Sequence, residues 1–313
     1  MIKENFSLPQ TYKKKWTSRL VGAISPYLFI APLLVYFIIF VLYPILQTIV
    51  FVFMRYEFLR PDRRGFVGLA NFYKYFADER VLETFWVSIK FFLLYVSAST
   101  LLALIVALVL DRVGKAYLVT IYRTIFYLPV VLPAGIIYLV WTWIYDPTWG
   151  VMNTLIRNVL GIPWPWDKWL GDPFMALPSL AFMSVWRLMG VTMVLFLIGL
   201  SSISNELREA AVIDGANEWQ VIRFIELPML KPTFLIIFVL RLQVLGLLEE
   251  PLAMTEGRPL RTTMTYGLQA YNISFRDGNW EIGYGSTWFL MLGLFSTFIA
   301  IIAWKLMHRD EPV

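Results

Sequence analysis

Six long apolar stretches constrain this chain more than any other feature of its sequence. An α-helix needs about 20 apolar residues to cross the hydrocarbon core of a bilayer, and each stretch is close to that length. Only 16% of the 313 residues are charged, whereas a soluble domain carries about 25%. We therefore predict an all-α polytopic membrane protein with six transmembrane helices. The predicted spans are residues 27–53, 85–110, 121–145, 174–200, 232–249 and 282–307.

The polar segments divide the chain further. We predict an N-terminal segment over residues 1–26, a loop over residues 54–84 and a short tail over residues 308–313. The first apolar stretch is longer than the core of a signal peptide and has no obvious cleavage site, so it is predicted to remain as a span. Basic residues cluster before it, and short cytoplasmic loops are enriched in lysine and arginine. Both termini are therefore predicted to be cytoplasmic, which places residues 54–84 outside.

Several kinds of chemistry are excluded by residues that the chain lacks. It has no cysteine and a single histidine, His308, so a disulfide, a thiolate nucleophile and a multi-histidine metal site are impossible. The net charge is +5, but no separate basic domain with interleaved aromatic residues indicates nucleic-acid binding. The phosphate-binding pattern Gly-x-x-x-x-Gly-Lys-Ser/Thr is missing. We therefore predict no enzymatic activity, no metal and no cofactor in this chain.

The longest polar, helix-patterned segment lies between the fourth and fifth predicted spans, at residues 205–228. Asn205 is a suitable N-cap, and carboxylates in the first turn favour a helix N-terminus. Gly215 allows a break because glycine is free to adopt positive φ, and Pro228 ends the unit. This pattern predicts two short helices, outside the lipid, that bind another protein.

Residues in this segment carry a family resemblance. Glu209-Ala210-Ala211-x-x-Asp214-Gly215-Ala216, followed by Leu227-Pro228-x-x-x-Pro232, resembles the EAA motif of binding-protein-dependent ABC importer permeases. Further segments resemble the carbohydrate-uptake branch with MalF- and UgpA-like members, and the likeness extends over residues 27–307. These segments are residues 27–32, 43–44, 66–72, 122–129, 141–153 and 169–173.

The resemblance implies an ABC type I importer permease fold, with a permease core over residues 85–307 and a coupling helix within residues 205–228. It implies that the coupling helix docks on a separate ATPase, which binds ATP and Mg. It further implies a second, different permease chain, an ATPase dimer, an extracytoplasmic solute-binding protein, a sugar or oligosaccharide, and the inner membrane of a prokaryote. The residues expected to contact the ATPase are Glu209, Ala210, Ala211, Asp214, Gly215 and Ala216. An ordinary amphipathic loop helix is the alternative interpretation.

Charged and aromatic residues in the spans are candidates for the substrate pathway, because charges in lipid are costly and usually face a cavity or a partner. Pairing between helices, or with the partner permease, is the competing interpretation. Arginines in a cavity would suit carboxylated sugars such as uronate oligomers. The candidates are Trp186, Arg187, Arg241, Gln243, Glu249 and Trp288.

Two other function classes remain as alternatives. An ion-coupled secondary transporter would usually need inverted repeats and an ionisable relay at mid-membrane, but most acidic residues here lie at the ends of the predicted spans. A membrane glycosyltransferase would need paired carboxylates or a metal site on a sizeable polar domain. The outer loop at residues 255–263 also lacks the Gly-Gly-Pro of many relatives, so ligand details do not transfer.

Overall fold

The computed structural model describes residue 27 and residues 29–113, 116–163, 165 and 167–307. The predicted N-terminal segment, the C-terminal tail and His308 lie outside these residues. The chain divides into two compact units, Met1–Phe51 and Val52–Val313. In the order of the chain, the helices are α1 (Phe29–Val52), α2 (Ala70–Ala77), α3 (Arg80–Arg112), α4 (Ala116–Val131), α5 (Ala134–Ile144), α6 (Val151–Asn153), α7 (Ala176–Ser201), α8 (Asn205–Ile213), α9 (Glu218–Met229), α10 (Lys231–Gly246), α11 (Glu249–Met254), α12 (Tyr266–Phe275) and α13 (Ile282–Met307).

The prediction of an all-α membrane protein is confirmed. By length and composition, α1, α3, α7 and α13 could each cross a membrane alone. Two bent pairs, α4 with α5 and α9 with α10, pass the same test only when each pair is taken together, so the described helices give four spans and at most six. The described strands are the two-residue β1 (Met54–Arg55) and β2 (Gly65–Phe66), which pair antiparallel in a hairpin after α1.

Helix α1 is apolar on every side. Its most apolar window has a mean hydropathy of 2.6 and is 0% buried within the chain. A helix that is hydrophobic all round is suited to a membrane. A π turn at Ile38–Leu42 precedes Pro44, which cannot donate a backbone hydrogen bond, and such a turn accommodates the missing bond.

The core of the second unit is built on the pairing of α3 with α7. The α3 face that is fully buried carries small residues at a spacing of four, Ser99, Ala103 and Ala107, each 0% exposed. Small residues at this spacing let membrane helices approach closely. The structure starts α3 at Arg80, earlier than the predicted residue 85, because the Asp78 carboxylate accepts the Arg80 backbone N–H at 3.0 Å and satisfies a free donor of the first turn.

Helices α7 and α4 pack closely at Gly190. A Cβ at this position would lie 2.2 Å from the Phe126 carbonyl oxygen, so any larger residue must push the two helices apart. We expect Gly190→Ala to destabilise the protein by about 1–3 kcal/mol, the usual range for overpacking. Gly293→Ala in α13 is the matched control, because a Cβ there meets nothing within 4 Å. Thermal unfolding in detergent measures both, and equal melting temperatures would contradict the prediction.

The third predicted span, residues 121–145, is a bent pair of helices in the structure. The structure begins α4 earlier, at Ala116, and bends by 96° between α4 and α5. Pro133 is the N-cap of α5, and a proline disfavours helical geometry at the residue before it. Pro129, in contrast, remains inside α4.

The fifth predicted span, residues 232–249, also ends differently. Helix α10 finishes in a 3₁₀ turn, Leu242–Gly246, and Glu249 begins the new helix α11 instead of closing the span. The side chain of Thr265 donates a 2.5 Å hydrogen bond to the Leu247 carbonyl. This bond gives the Leu247 carbonyl a hydrogen-bond partner just after α10 ends.

Candidate functional site

The EAA segment folds as two helices joined by a tight turn. Helix α8 ends at Ile213, and Gly215 adopts φ +90°, a conformation that glycine reaches without a steric penalty. Ser204, not the predicted Asn205, occupies the N-cap position of α8, and its side chain makes no capping bond. Asn205 is instead the first residue of the helix.

A capping box fixes the start of α9, and the sequence analysis missed it. The Asn217 side chain accepts the Gln220 N–H at 2.9 Å, and the Gln220 side chain accepts the Asn217 N–H at 2.7 Å. The signal was present in the sequence as an N-cap residue followed three positions later by glutamine. The box places α9 directly after the turn at Gly215.

The EAA residues lie on an open surface of this unit. Glu209, Ala210, Asp214 and Gly215 are exposed, and Ala211 and Ala216 are half-buried. Within the part of the chain that the structure describes, Glu209 forms no salt bridge. The motif therefore presents a free carboxylate beside small side chains.

Large apolar side chains surround the motif and are also exposed. Ile213 is 85% exposed, Phe224 67% and Trp219 64%. These residues lie on the polar segment between two spans, and an exposed apolar patch of this kind marks an interaction site. The complete set is Leu207, Val212, Ile213, Trp219 and Phe224.

Ion pairs around a buried carboxylate connect α8 and α9 to the end of α3. Glu226 in α9 is 1% exposed. Its carboxylate lies 3.0 Å from Arg112, at the end of α3, and 3.1 Å from Arg208 in α8. Arg208 also pairs with Asp111 at 3.0 Å. The sequence analysis missed this network because its members are distant in the chain.

A second charged cluster lies where α5, α7 and α11 meet. Arg187 donates to the Tyr138 hydroxyl at 2.8 Å and lies 3.4 Å from the Glu250 carboxylate. Tyr138 in turn donates to Glu249 at 3.1 Å. Of the six candidates for the substrate pathway, the structure therefore brings Arg187 and Glu249 together, through a tyrosine that the sequence analysis did not select.

The other four candidates are dispersed. Arg241 is 8% exposed and donates to the Leu188 carbonyl and the Thr192 hydroxyl. Gln243 is exposed, and Trp186 is 42% exposed with its ring in edge contact with Trp141.

Trp288 is 0% exposed and packs against Tyr75, Tyr266 and Tyr284. Neither face of its ring is available for stacking on a sugar in this conformation. Its predicted role in the substrate pathway therefore lacks support from the geometry.

Ion pairs tie together the segments that flank the spans on the opposite side from α8. Lys74 pairs with Glu281, and Asp78 accepts hydrogen bonds from Arg80 and Tyr284. Burial acts to raise the pKa of Asp78, but these hydrogen bonds outweigh it and hold the pKa below its usual value. Asp78 is thus kept charged at the start of α3.

Comparison with known proteins identifies the family of this chain. Residues 99–307 match the family described as binding-protein-dependent transport system inner membrane component. A probable ABC transporter permease of Pyrococcus horikoshii is 32% identical over 289 residues, which cover 91% of this chain and 96% of that protein. The trehalose/maltose transport system permease protein MalF of Thermococcus litoralis is 30% identical over 274 residues, which cover 87% of this chain and 89% of that protein.

A solved structure has the same fold. It is a bacterial ABC transporter involved in the import of the acidic polysaccharide alginate, and it matches with a TM-score of 0.75 at 20% identity over 94% of this chain and 100% of that chain. The family match covers more than half of the chain, and the relatives match along most of it. The chain belongs to the binding-protein-dependent transport system inner membrane component family and is a permease subunit of an ABC importer, in which a separate ATPase subunit hydrolyses ATP.

Proposed function

We propose that this chain moves a sugar or oligosaccharide through the membrane and receives the energy through α8 and the turn at Gly215, docked on the ATPase. The observation that carries the proposal is the exposed EAA motif, with a free Glu209 carboxylate and a rim of exposed apolar residues. The small side chains of Ala210 and Ala211 let a partner approach the helix closely. Glu209 supplies a charge for an arginine of the ATPase.

The remaining partners follow from the same proposal. ATP and Mg²⁺ bind to the ATPase dimer and not to this chain. A second, different permease chain completes the pathway, and a solute-binding protein docks on the loops opposite α8. An alginate importer that matches this fold has been solved with its periplasmic protein carrying an alginate pentasaccharide, which supports such a partner. Both termini and α8 are assigned to the cytoplasmic side.

Labelling of single cysteines tests the docking and the orientation together, because the chain has no cysteine of its own. Ile213 in α8 and Leu260 in the loop before α12 are matched positions, 85% and 83% exposed. We expect an impermeant maleimide to label Leu260→Cys from outside the cell and Ile213→Cys only from the cytoplasmic side. Binding of the ATPase should protect Ile213→Cys and leave Leu260→Cys reactive.

Three results would contradict the proposal. Labelling of Ile213→Cys from outside would reverse the orientation. Equal reactivity of Ile213→Cys with and without the ATPase would show that α8 is not the docking site. ATP-independent uptake by the lone chain would instead favour the ion-coupled secondary transporter, for which the structure and the relatives offer no support.

We further propose that the substrate is an uncharged sugar or oligosaccharide. Relatives include the trehalose/maltose permease and the lactose transport system permease protein LacF of Rhizobium radiobacter. The argument for an acidic substrate was that arginines in a cavity would bind carboxylated sugars. Glu250 neutralises Arg187, however, and Glu249 lies in the same cluster. Arg241 is turned to the Leu188 carbonyl and the Thr192 hydroxyl.

Uptake by the Arg241→Gln variant distinguishes a neutral from an acidic substrate. Because Arg241 braces α10 against α7, we expect the variant to reduce uptake of neutral oligosaccharides, and of any uronate-containing ones that the complex accepts, by the same factor. Uptake of radiolabelled sugars into cells measures this, with Ile236→Ala as a control that alters a 52% exposed side chain of the same helix. Selective loss of uronate uptake in Arg241→Gln would instead assign Arg241 to an anionic substrate.

A further inference from the structure

We propose that Glu226 is a positioning residue: with Arg208 and Arg112 it forms an ion-pair joint, centred on a buried carboxylate, that makes α8 move as one body with the inner end of α3. The inference rests on the proposed docking of α8 on the ATPase and goes beyond it. It assigns the residues that pass the motion of α8 to a span.

The joint begins with the burial of Glu226. Its side chain is 1% exposed and lies within the π turn Ile222–Glu226 of α9, and π turns occur often at functional sites. A buried carboxylate that loses its partners is strongly destabilised. Glu226 therefore keeps both arginine side chains in place, and the two arginines belong to different helices, Arg112 to α3 and Arg208 to α8.

Arg208 supplies the contact with α8. One of its nitrogens lies 3.1 Å from Glu226, and another lies 3.0 Å from Asp111 on α3. The same side chain donates to the Leu200 carbonyl near the end of α7 at 3.3 Å. Its side chain is 23% exposed, so solvent screens these pairs less than surface pairs. One side chain thus ties α8 to α3, α7 and α9.

Arg112 closes the joint from the side of α3. It donates to Glu226 at 3.0 Å and to the Leu108 carbonyl at 3.0 Å, which fixes the guanidinium against its own helix. A more distant pair joins it to Glu218 at 3.7 Å. The Glu218 side chain is 86% exposed, and exposed pairs contribute little. The buried carboxylate is therefore the one that holds the elements together.

Charge and geometry agree with a role in transmission. Three carboxylates surround two arginines, so the joint carries no unpaired positive charge. Helix α8 has no buried residue along its length, and apolar packing alone therefore does not fix it to the unit. The ion pairs are the direct link between α8 and α3, whose 33 residues run from the joint to Arg80.

Distance measurements between spin labels test the joint in the assembled complex. Cysteines introduced at Glu206 of α8 and Val109 of α3, both exposed, carry the labels in a chain without other cysteines. We expect a single narrow distance that does not change on addition of MgATP. Glu226→Gln should produce a broad distribution that shifts with MgATP, while the complex still assembles and hydrolyses ATP.

Glu218→Gln is the matched control, because Glu218 also pairs with Arg112 but is exposed; its distribution should stay narrow. Arg208→Gln is a second variant in case Glu226→Gln fails to fold, since it leaves Glu226 paired with Arg112. It should also broaden the distance. A narrow distance in both Arg208→Gln and Glu226→Gln, or a broad one in the unaltered chain, would overturn the joint.

The same labels separate the joint from the docking of α8. The distance can be recorded on the permease complex before the ATPase is added. A narrow distance that broadens in Glu226→Gln supports the joint even if the ATPase then fails to protect Ile213→Cys. That second outcome would refute the docking alone.

Discussion

Gly215→Val is expected to lower ATP-driven uptake by about 5- to 150-fold while the protein still inserts and assembles. Gly215 has φ +90°, and a β-branched residue held in such a conformation is strained by about 1–3 kcal/mol. The strain is relieved by opening the turn, which changes the angle between α8 and α9. A loss of coupling free energy of about 1–3 kcal/mol corresponds to a fall in uptake of about 5- to 150-fold.

Gly278→Val provides the matched control. Gly278 also has a positive φ, +55°, and a Cβ at either position meets nothing within 4 Å. The two substitutions therefore impose the same kind of strain, but only Gly215 lies in the EAA segment. Uptake of the sugar held by the cognate binding protein should fall only in Gly215→Val. Full uptake in Gly215→Val would show that the turn at Gly215 takes no part in coupling.

Arg187→Met is expected to destabilise the protein by about 3–5 kcal/mol, the range for breaking a buried ion pair from one side. It leaves the Glu250 carboxylate, 4% exposed, beside Glu249 without a cation. The double variant Arg187→Met/Glu250→Met should recover most of this stability, since apolar residues of similar volume often replace a buried pair at little cost. Thermal and chemical unfolding in detergent measure both.

An exposed pair supplies the control for Arg187→Met. Arg261 and Glu83 lie 2.9 Å apart, closer than Arg187 and Glu250, but their side chains are 38% and 45% exposed. Glu83→Gln should therefore change stability by only about 0–1 kcal/mol. A similar loss in Glu83→Gln and Arg187→Met would show that burial does not decide the strength of these pairs.

The double variant also addresses the substrate pathway. If Arg187 and Glu250 act only on the fold, restoring stability should restore uptake. If the cluster binds sugar, Arg187→Met/Glu250→Met should remain defective in uptake despite its recovered stability. Glu249, exposed and bonded to Tyr138, would then be the next residue to replace.

The spans were predictable because the bilayer imposes a local requirement. Every backbone polar group must be satisfied within the lipid, so an apolar stretch of sufficient length becomes a helix. The break at Gly215 was predictable for a similar reason, since its signals lie within a few residues. Pro133 was visible in the sequence, but its effect was not, because a membrane helix tolerates one proline and bends at another.

The charged clusters were not predictable in the same way. Arg187 and Glu250 are 63 residues apart, and Arg112 and Glu226 are 114 apart. No spacing rule connects positions at such separations, so the sequence analysis identified single charges without their partners. The burial of Trp288 was hidden for the same reason, since Tyr75 and Tyr266 reach it from distant segments.

By itself, the sequence determined that this chain crosses a membrane as helices, that it lacks an ATPase site, and that the segment around Gly215 is a polar helical pair. Each of these depends on residue type and near-neighbour spacing. Only the tertiary structure decided which charges are paired, which aromatic rings are buried, and how α8 is joined to α3. Those properties depend on how the helices pack, because packing alone brings distant side chains within 3–4 Å of each other.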